Sequence, residues 1–226
     1  ALEYVLFDSG VSDTEVLARF TDATGARRAQ LAESMAIDLA NKCQLLNAAF
    51  TGPNGYGQQL AQAGVGSTVF ASQSDGIDKV VTGMLYASEL MLTAKLAKPL
   101  GSDNNNVVQP QLEEGPRSDS SIADLEADLD GLLAIYTGMQ AGRAGKGIAD
   151  AVRSVNPAVD MRFMQKLSDV RTALGAVPQS FRLALVQNRA PLDAVYNAVR
   201  ALKTAIQTEL AGALGASLGF GYSDTD

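Results

Sequence analysis

The chain has 226 residues, 46% of them hydrophobic and 19% charged, enough for one large domain or two smaller ones with a real core. A formal charge of −7 and a pI of about 4.6 argue against nucleic acid as a partner, because phosphate binding needs clustered Lys and Arg. The chain holds 0 histidines and a single cysteine, Cys43, which excludes His-dependent nucleophiles, His-zinc sites and an intrachain disulfide within these residues.

Ala, Leu and Val carry the apolar content, and no Val/Ile alternation lasts beyond four or five residues. The chain therefore reads as all-α. The opening run, Ala1-Leu-Glu-Tyr-Val-Leu-Phe-Asp8, has no cap or turn before it and reads as the continuation of a buried segment, so part of the site is expected to lie outside the chain. Ser12-Asp13-Thr14-Glu15 is a capping box that starts a short helix reaching Asp22. A long helix runs from about residue 24 to 50. Its Leu31, Met35, Leu39, Cys43, Leu46 and Phe50 recur at steps of three and four, which predicts one buried stripe with Cys43 inside it. Gly52-Pro53-Asn54-Gly55 stops that helix, and residues 51–76 carry no strong pattern beyond short helical turns.

A second long helix is predicted from Ser74 to Lys98. Ile77, Val81, Met84, Ser88 and Met91 mark one face, and Pro99 and Gly101 end it. Residues 102–116, with three consecutive Asn and two Pro, read as a linker. Ser120 or Ser121 caps the next helix, whose Ile122, Leu125, Leu129, Leu132 and Tyr136 form a bundle-type seam. The glycines of 138–147 lack phosphate-loop spacing. Asn156-Pro157 opens a helix with Phe163, Leu167, Val170 and Leu174 on its face, and a short helix covers 179–187. Pro191 opens the last long helix, through Leu192, Val195, Val199, Leu202, Ile206 and Leu210. These elements divide the chain into 1–101 as part of a first helical bundle, 102–116 as linker and 117–226 as a second bundle. No apolar run reaches the roughly 18 residues of a spanning helix.

Few residues carry chemistry. Glu3 sits among Leu2, Tyr4, Val5 and Leu6, so it is either a solvated end residue or a carboxylate held by a partner, since burial unpaired is costly. Asp8 is a possible second acid or a helix-end residue. Arg117, just before a helix start, either attracts an anion there or pairs with a nearby acid. Lys95 reads as snorkelling from the apolar face, with a buried acid pair as its alternative. Tyr4, Tyr86, Tyr136 and Tyr196 read as core filling, and Glu113 and Glu114 as solvated.

The order of segments resembles the imelysin-like proteins. The matching stretches are Ala1 to Asp8, Lys95-Leu-Ala-Lys-Pro-Leu-Gly101, Pro116-Arg-Ser-Asp-Ser-Ser-Ile-Ala-Asp-Leu-Glu-Ala-Asp-Leu-Asp-Gly-Leu132 with Tyr136-Thr-Gly138, and Glu209 to Phe220. The resemblance implies two helical bundles, a first one whose N-terminal helices are missing from this chain, and a bacterial periplasmic or lipid-anchored protein linked to iron uptake. The family signature is Gly-x-His-x-x-Glu. Glu3 falls on its glutamate, the histidine position precedes Ala1, and the branch resembled here holds proline there. Glu3 is thereby the preferred site residue and metal ligand, with Arg117 and Ser121 as pocket residues and Asp8 as a further ligand-binding acid. The implied cofactor is iron or another divalent or trivalent cation. The implied partners are a small ligand or metal ion and an envelope protein. The function expected is a non-catalytic binding or accessory protein in iron uptake. A metallopeptidase and an interaction scaffold with a vestigial pocket are its rivals.

Overall fold

A computed structural model describes residues 2–7, 12–140, 142–178 and 180–219. It is all-α, as expected. Helices α1 (Leu2–Leu6), α2 (Asp13–Thr21), α3 (Gly25–Thr51) and α4 (Tyr56–Ala61) come first. Helix α5 (Gln73–Leu90) continues through a π-helical stretch, Met91–Ala97, and a last turn, Lys98–Leu100. After a 3₁₀ turn at Pro110–Leu112 come α6 (Ser121–Thr137), α7 (Ile148–Val155), α8 (Pro157–Gly175), α9 (Phe181–Gln187) and α10 (Ala190–Ala205). The last of these runs on as a π segment, Ile206–Leu210, and ends with Ala211–Leu214. Between α6 and α7, β1 (Met139–Gln140) and β2 (Arg143–Ala144) pair antiparallel, a hairpin too short for any alternation to announce it. Helix α7 is likewise absent from the sequence pattern, because the glycines before it hide its start.

The chain forms two compact units. One is Ala1–Gln73 with Gly115–Ser118, the other Ser74–Glu114 with Asp119–Asp226. The division differs from the one expected at residues 102–116. Val81, Met84, Met91, Leu96 and Leu100 of α5 and its extension share a core with Leu125, Leu129, Phe163, Leu192, Val199 and Leu202. The helix therefore belongs with the C-terminal helices, because burial of its apolar face dominates its placement.

The Asn-rich stretch is a folded loop of the second unit, not a connector. Gly101 takes a left-handed conformation (φ 70°) that ends the helix, and a Cβ there would stand 1.9 Å from the Val107 carbonyl oxygen. Asn105 and Asn106 also adopt positive φ, which their short amide side chains tolerate. The Gln109 amide returns to the Pro99 carbonyl (2.8 Å). Arg189 clasps the loop with bonds to the carbonyls of Leu100 and Asn106 (3.3 Å each), while Asp193 holds its guanidinium at 2.8 Å.

Within the second unit, α8 and α10 are the principal packed pair. Tyr136 lies fully buried beside Phe163 (ring centroids 4.5 Å apart). Its hydroxyl donates to Asp160 (2.9 Å), whose other oxygen accepts from Arg153 Nε (2.9 Å). Burial and the adjoining Asp160 carboxylate push the Tyr136 pKa up, so its phenol stays a donor.

In the first unit the capping box forms as read: the Glu15 amide donates to Ser12 Oγ, and the Glu15 carboxylate accepts from the Ser12 amide (2.7 Å). Gly25 lies so close to the Phe20 carbonyl that a Cβ would meet its oxygen at 2.1 Å, which allows the sharp α2–α3 corner. The expected buried stripe of α3 is exposed instead. Leu31 is 48% and Leu46 73% accessible, and Cys43 rides on the same exposed helix. Periodicity identifies an apolar face, but most of it stays exposed, with Met35 half-buried and the Phe50 ring against Tyr56. Gln59 anchors the turn after α4, its side-chain oxygen accepting from the Thr68 amide and the Ser67 hydroxyl (2.8 Å each).

Candidate functional site

Glu3 is not a solvated end residue. Its Oε1 accepts three bonds from one short segment of the first unit: the Arg117 amide at 3.0 Å, the Ser118 amide at 2.8 Å and the Ser118 hydroxyl at 2.8 Å. Two successive amides converging on one oxygen form an anion-binding concavity. The Arg117 guanidinium lies over the Tyr4 ring, 4.8 Å from its centroid, so the two residues after Leu2 both engage the same segment. Burial alone would raise the Glu3 pKa. The Ser118 amide and hydroxyl, the Arg117 amide and the guanidinium charge outweigh it, and the net shift is downward.

The backbone of helix α1, which carries this carboxylate, is tied to α3. Arg28 of α3 donates to the Val5 carbonyl from Nη2 (2.8 Å) and Nε (3.2 Å). Val5 is buried. Tyr4, expected as core filler, is 59% exposed and serves as the platform for Arg117.

The structure thus brings Glu3 and Arg117 together. Ser121 falls in a separate polar cluster of the second unit, where its hydroxyl donates to buried Glu113 (2.9 Å). Glu113 is therefore not solvated as expected. Lys95 does not snorkel to open solvent: its side chain is 17% accessible and pairs with Asp128 (2.6 Å) and Glu114 (3.0 Å). Burial lowers the Lys95 pKa, but the two carboxylates overcome this and raise it. Lys95 lies in the π-helical stretch, whose wider turn a sequence period of 3.6 does not foresee. Asp8 lies outside the described residues. Ser118 gives no signal in the sequence. It sits beside the expected Arg117, but its contribution is half main chain, and any residue has an amide.

The groups around Glu3 are donors: two amides, a hydroxyl and a guanidinium. A cation needs acceptors, so these residues do not fit a metal ion. Among the described residues, no cluster of three or more His, Cys, Asp or Glu is arranged to hold one. No described helix is long and apolar enough to cross a membrane.

Fold and site together define an all-α protein with a carboxylate held by consecutive backbone amides. The imelysin profile matches residues 1–210, and the chain belongs to the imelysin family. It is similar to the crystal structure of a putative iron-regulated protein A precursor from Parabacteroides distasonis (TM-score 0.74, 16% identity), covering 94% of this chain and 61% of that one. It is also similar to an imelysin peptidase from Bacteroides ovatus (TM-score 0.63, 18% identity), covering 75% of this chain and 49% of that one. The chain therefore spans about half of one of these structures and about three-fifths of the other. Among curated proteins, no sequence matches it.

Proposed function

We propose that the chain is part of a non-catalytic, periplasmic or envelope-anchored protein that binds an iron-linked ligand during iron uptake. One observation carries the reading. The carboxylate on the family's signature glutamate, Glu3, is committed to three hydrogen-bond donors and held below its ordinary pKa. A carboxylate in that condition is a weak general base near neutral pH, which speaks against a role in activating water. It is well suited to fixing the 115–118 segment, and with it the Arg117 guanidinium. That cation, stacked on Tyr4, suits the anionic part of a chelate better than a bare ion. The iron-regulated name of one similar structure supports the iron link, and its description as a precursor is compatible with export.

Titration of the purified chain with ferric nitrilotriacetate, followed by its absorbance or by calorimetry, tests the proposal. Saturable binding weakened by Arg117→Gln and by Glu3→Ala is expected. Binding indifferent to both substitutions would sink it. The peptidase reading, favoured by the name of the other similar structure, predicts instead that the chain cleaves an unfolded protein such as casein and stops when a chelator is added.

A further inference from the structure

Gly52-Pro53-Asn54-Gly55, the sequence that stops α3, holds the only Asn-Gly pair of the chain. The geometry of the turn explains why both residues are there. Pro53 takes its second position, and Asn54 its third with φ 58°, in the left-handed region that Asn and Gly tolerate best. The Gly55 amide closes the turn on the Gly52 carbonyl (2.8 Å). A Cβ on residue 55 would stand 2.7 Å from the Gly52 oxygen, 2.8 Å from that of Phe50 and 2.9 Å from that of Ala49. The fold therefore demands glycine directly after the left-handed residue.

The same pair is chemically labile. Asparagine is a thermolabile residue, because the backbone nitrogen that follows it can attack its side-chain carbonyl carbon. A side chain on the following residue hinders that approach, and glycine has none. Asn54 is exposed, and its side chain has no hydrogen-bond partner among the described residues. The bonds that brace the pair, Asn54 amide to Gln58 Oε1 (2.8 Å) and Gly55 amide to Gly52, lie within this turn and the start of α4. Local opening of one turn, not unfolding, frees the nitrogen. Asn105 and Asn106 share the positive φ (51° and 60°), but the residues after them are Asn106 and Val107, whose side chains stand in the way of the same attack.

From this geometry we infer that Asn54 is a site of spontaneous covalent modification, deamidation through a cyclic imide with Gly55. The Gly55 nitrogen gives up its proton to base in the solvent and bonds to Asn54 Cγ. The Cγ–Nδ2 bond breaks, and ammonia leaves with a proton from solvent. Water then adds to either imide carbonyl and opens the ring. One opening leaves an ordinary aspartyl residue, the other an isoaspartyl residue with an extra methylene in the main chain. Either adds a negative charge to a chain whose formal charge is already −7. The isoaspartyl form also lengthens the backbone inside the turn, and so disturbs the Gly55–Gly52 bond and the Phe50–Tyr56 ring contact (centroids 5.9 Å apart). The inference uses neither Glu3 nor Arg117 and stands apart from the proposed function.

Incubation of the folded chain in warm, mildly alkaline buffer, followed by peptide mapping with electron-transfer fragmentation, tests the site. Asn54 is expected to lose its amide first among the asparagines, ahead of Asn105 and Asn106. Both products should appear, the isoaspartyl one accepting methyl groups from an isoaspartyl methyltransferase. Isoelectric focusing should show a band one charge more acidic. That band should be missing over the same period in Asn54→Gly, which keeps the positive φ of the turn and should leave helical circular dichroism unchanged. An Asn54 that keeps its amide in the folded chain while losing it in guanidinium would overturn the assignment. So would an acidic band that forms equally fast in Asn54→Gly, or conversion of Asn105 or Asn106 ahead of Asn54.

Discussion

The two compact units treat apolar residues in opposite ways. In the second, Leu129, Val195, Val199 and Leu202 are 0–1% exposed, and α5, α6, α8 and α10 share one core. In the first, Val5, Ala63 and Phe70 are the buried hydrophobic residues among those described, while the 27-residue α3 leaves Leu45 and Leu46 more than 70% exposed. A three-four repeat is present in both. The difference is whether something packs against it. The second unit is held by burial, and the first by polar ties: Glu3 to Arg117 and Ser118, Arg28 to Val5, Gln59 to Thr68.

That contrast can be broken by mutation. The largest effect is expected in the second core, where Leu202→Ala should cost about 2–5 kcal/mol in denaturant unfolding. Asp160→Ala comes next. It strands the buried Tyr136 hydroxyl and one guanidinium edge, and should cost about 2–3 kcal/mol, most of it recovered if Tyr136→Phe is added to it. Lys95→Met leaves Asp128 and Glu114 facing each other without their cation, and a loss of about 1–2 kcal/mol is expected for a pair this accessible. Because the Lys95 pKa is raised in the folded chain, its contribution is complete below 10.5 and fades as pH climbs through the higher folded value. An alkaline unfolding series should lose that dependence in the variant.

In the first unit the effects should be smaller and sensitive to acid. Glu3→Gln should cost about 1 kcal/mol and speed hydrogen exchange at the Arg117 and Ser118 amides, leaving the second unit's amides unchanged. The folded pKa of Glu3 lies below 4.5, so its contribution is complete above 4.5 and disappears as pH falls through the lowered value. Smallest of all is Leu46→Ser on α3, expected within about 0.5 kcal/mol of wild type because the side chain is already in solvent. A loss of several kcal/mol there would mean that the face is covered in solution.

Much of this architecture is legible in the residues alone. The capping box at Ser12, the proline start at Pro157 and the seam from Leu192 to Leu210 are local signals, and all three appear where the pattern puts them. The Glu3–Arg117 association comes from a family resemblance, not from spacing, since 114 residues separate the two. The failures share a cause. Pattern tells which residues seek burial but not which surface receives them, hence the shifted unit boundary and the exposed α3. Asn-rich composition suggests a loose tether, yet Arg189, more than eighty residues away, turns the stretch into a fixed loop. Ser118 is invisible because main-chain donors leave no mark in a sequence.

The lone thiol gives these experiments a ready reporter. Cys43 sits accessible on α3, and no second cysteine competes for a maleimide dye. One labelling reaction on the unaltered chain thus places a single fluorophore on the bare side of that helix. Its reaction rate or emission colour would register any body that settles there, with no engineering required.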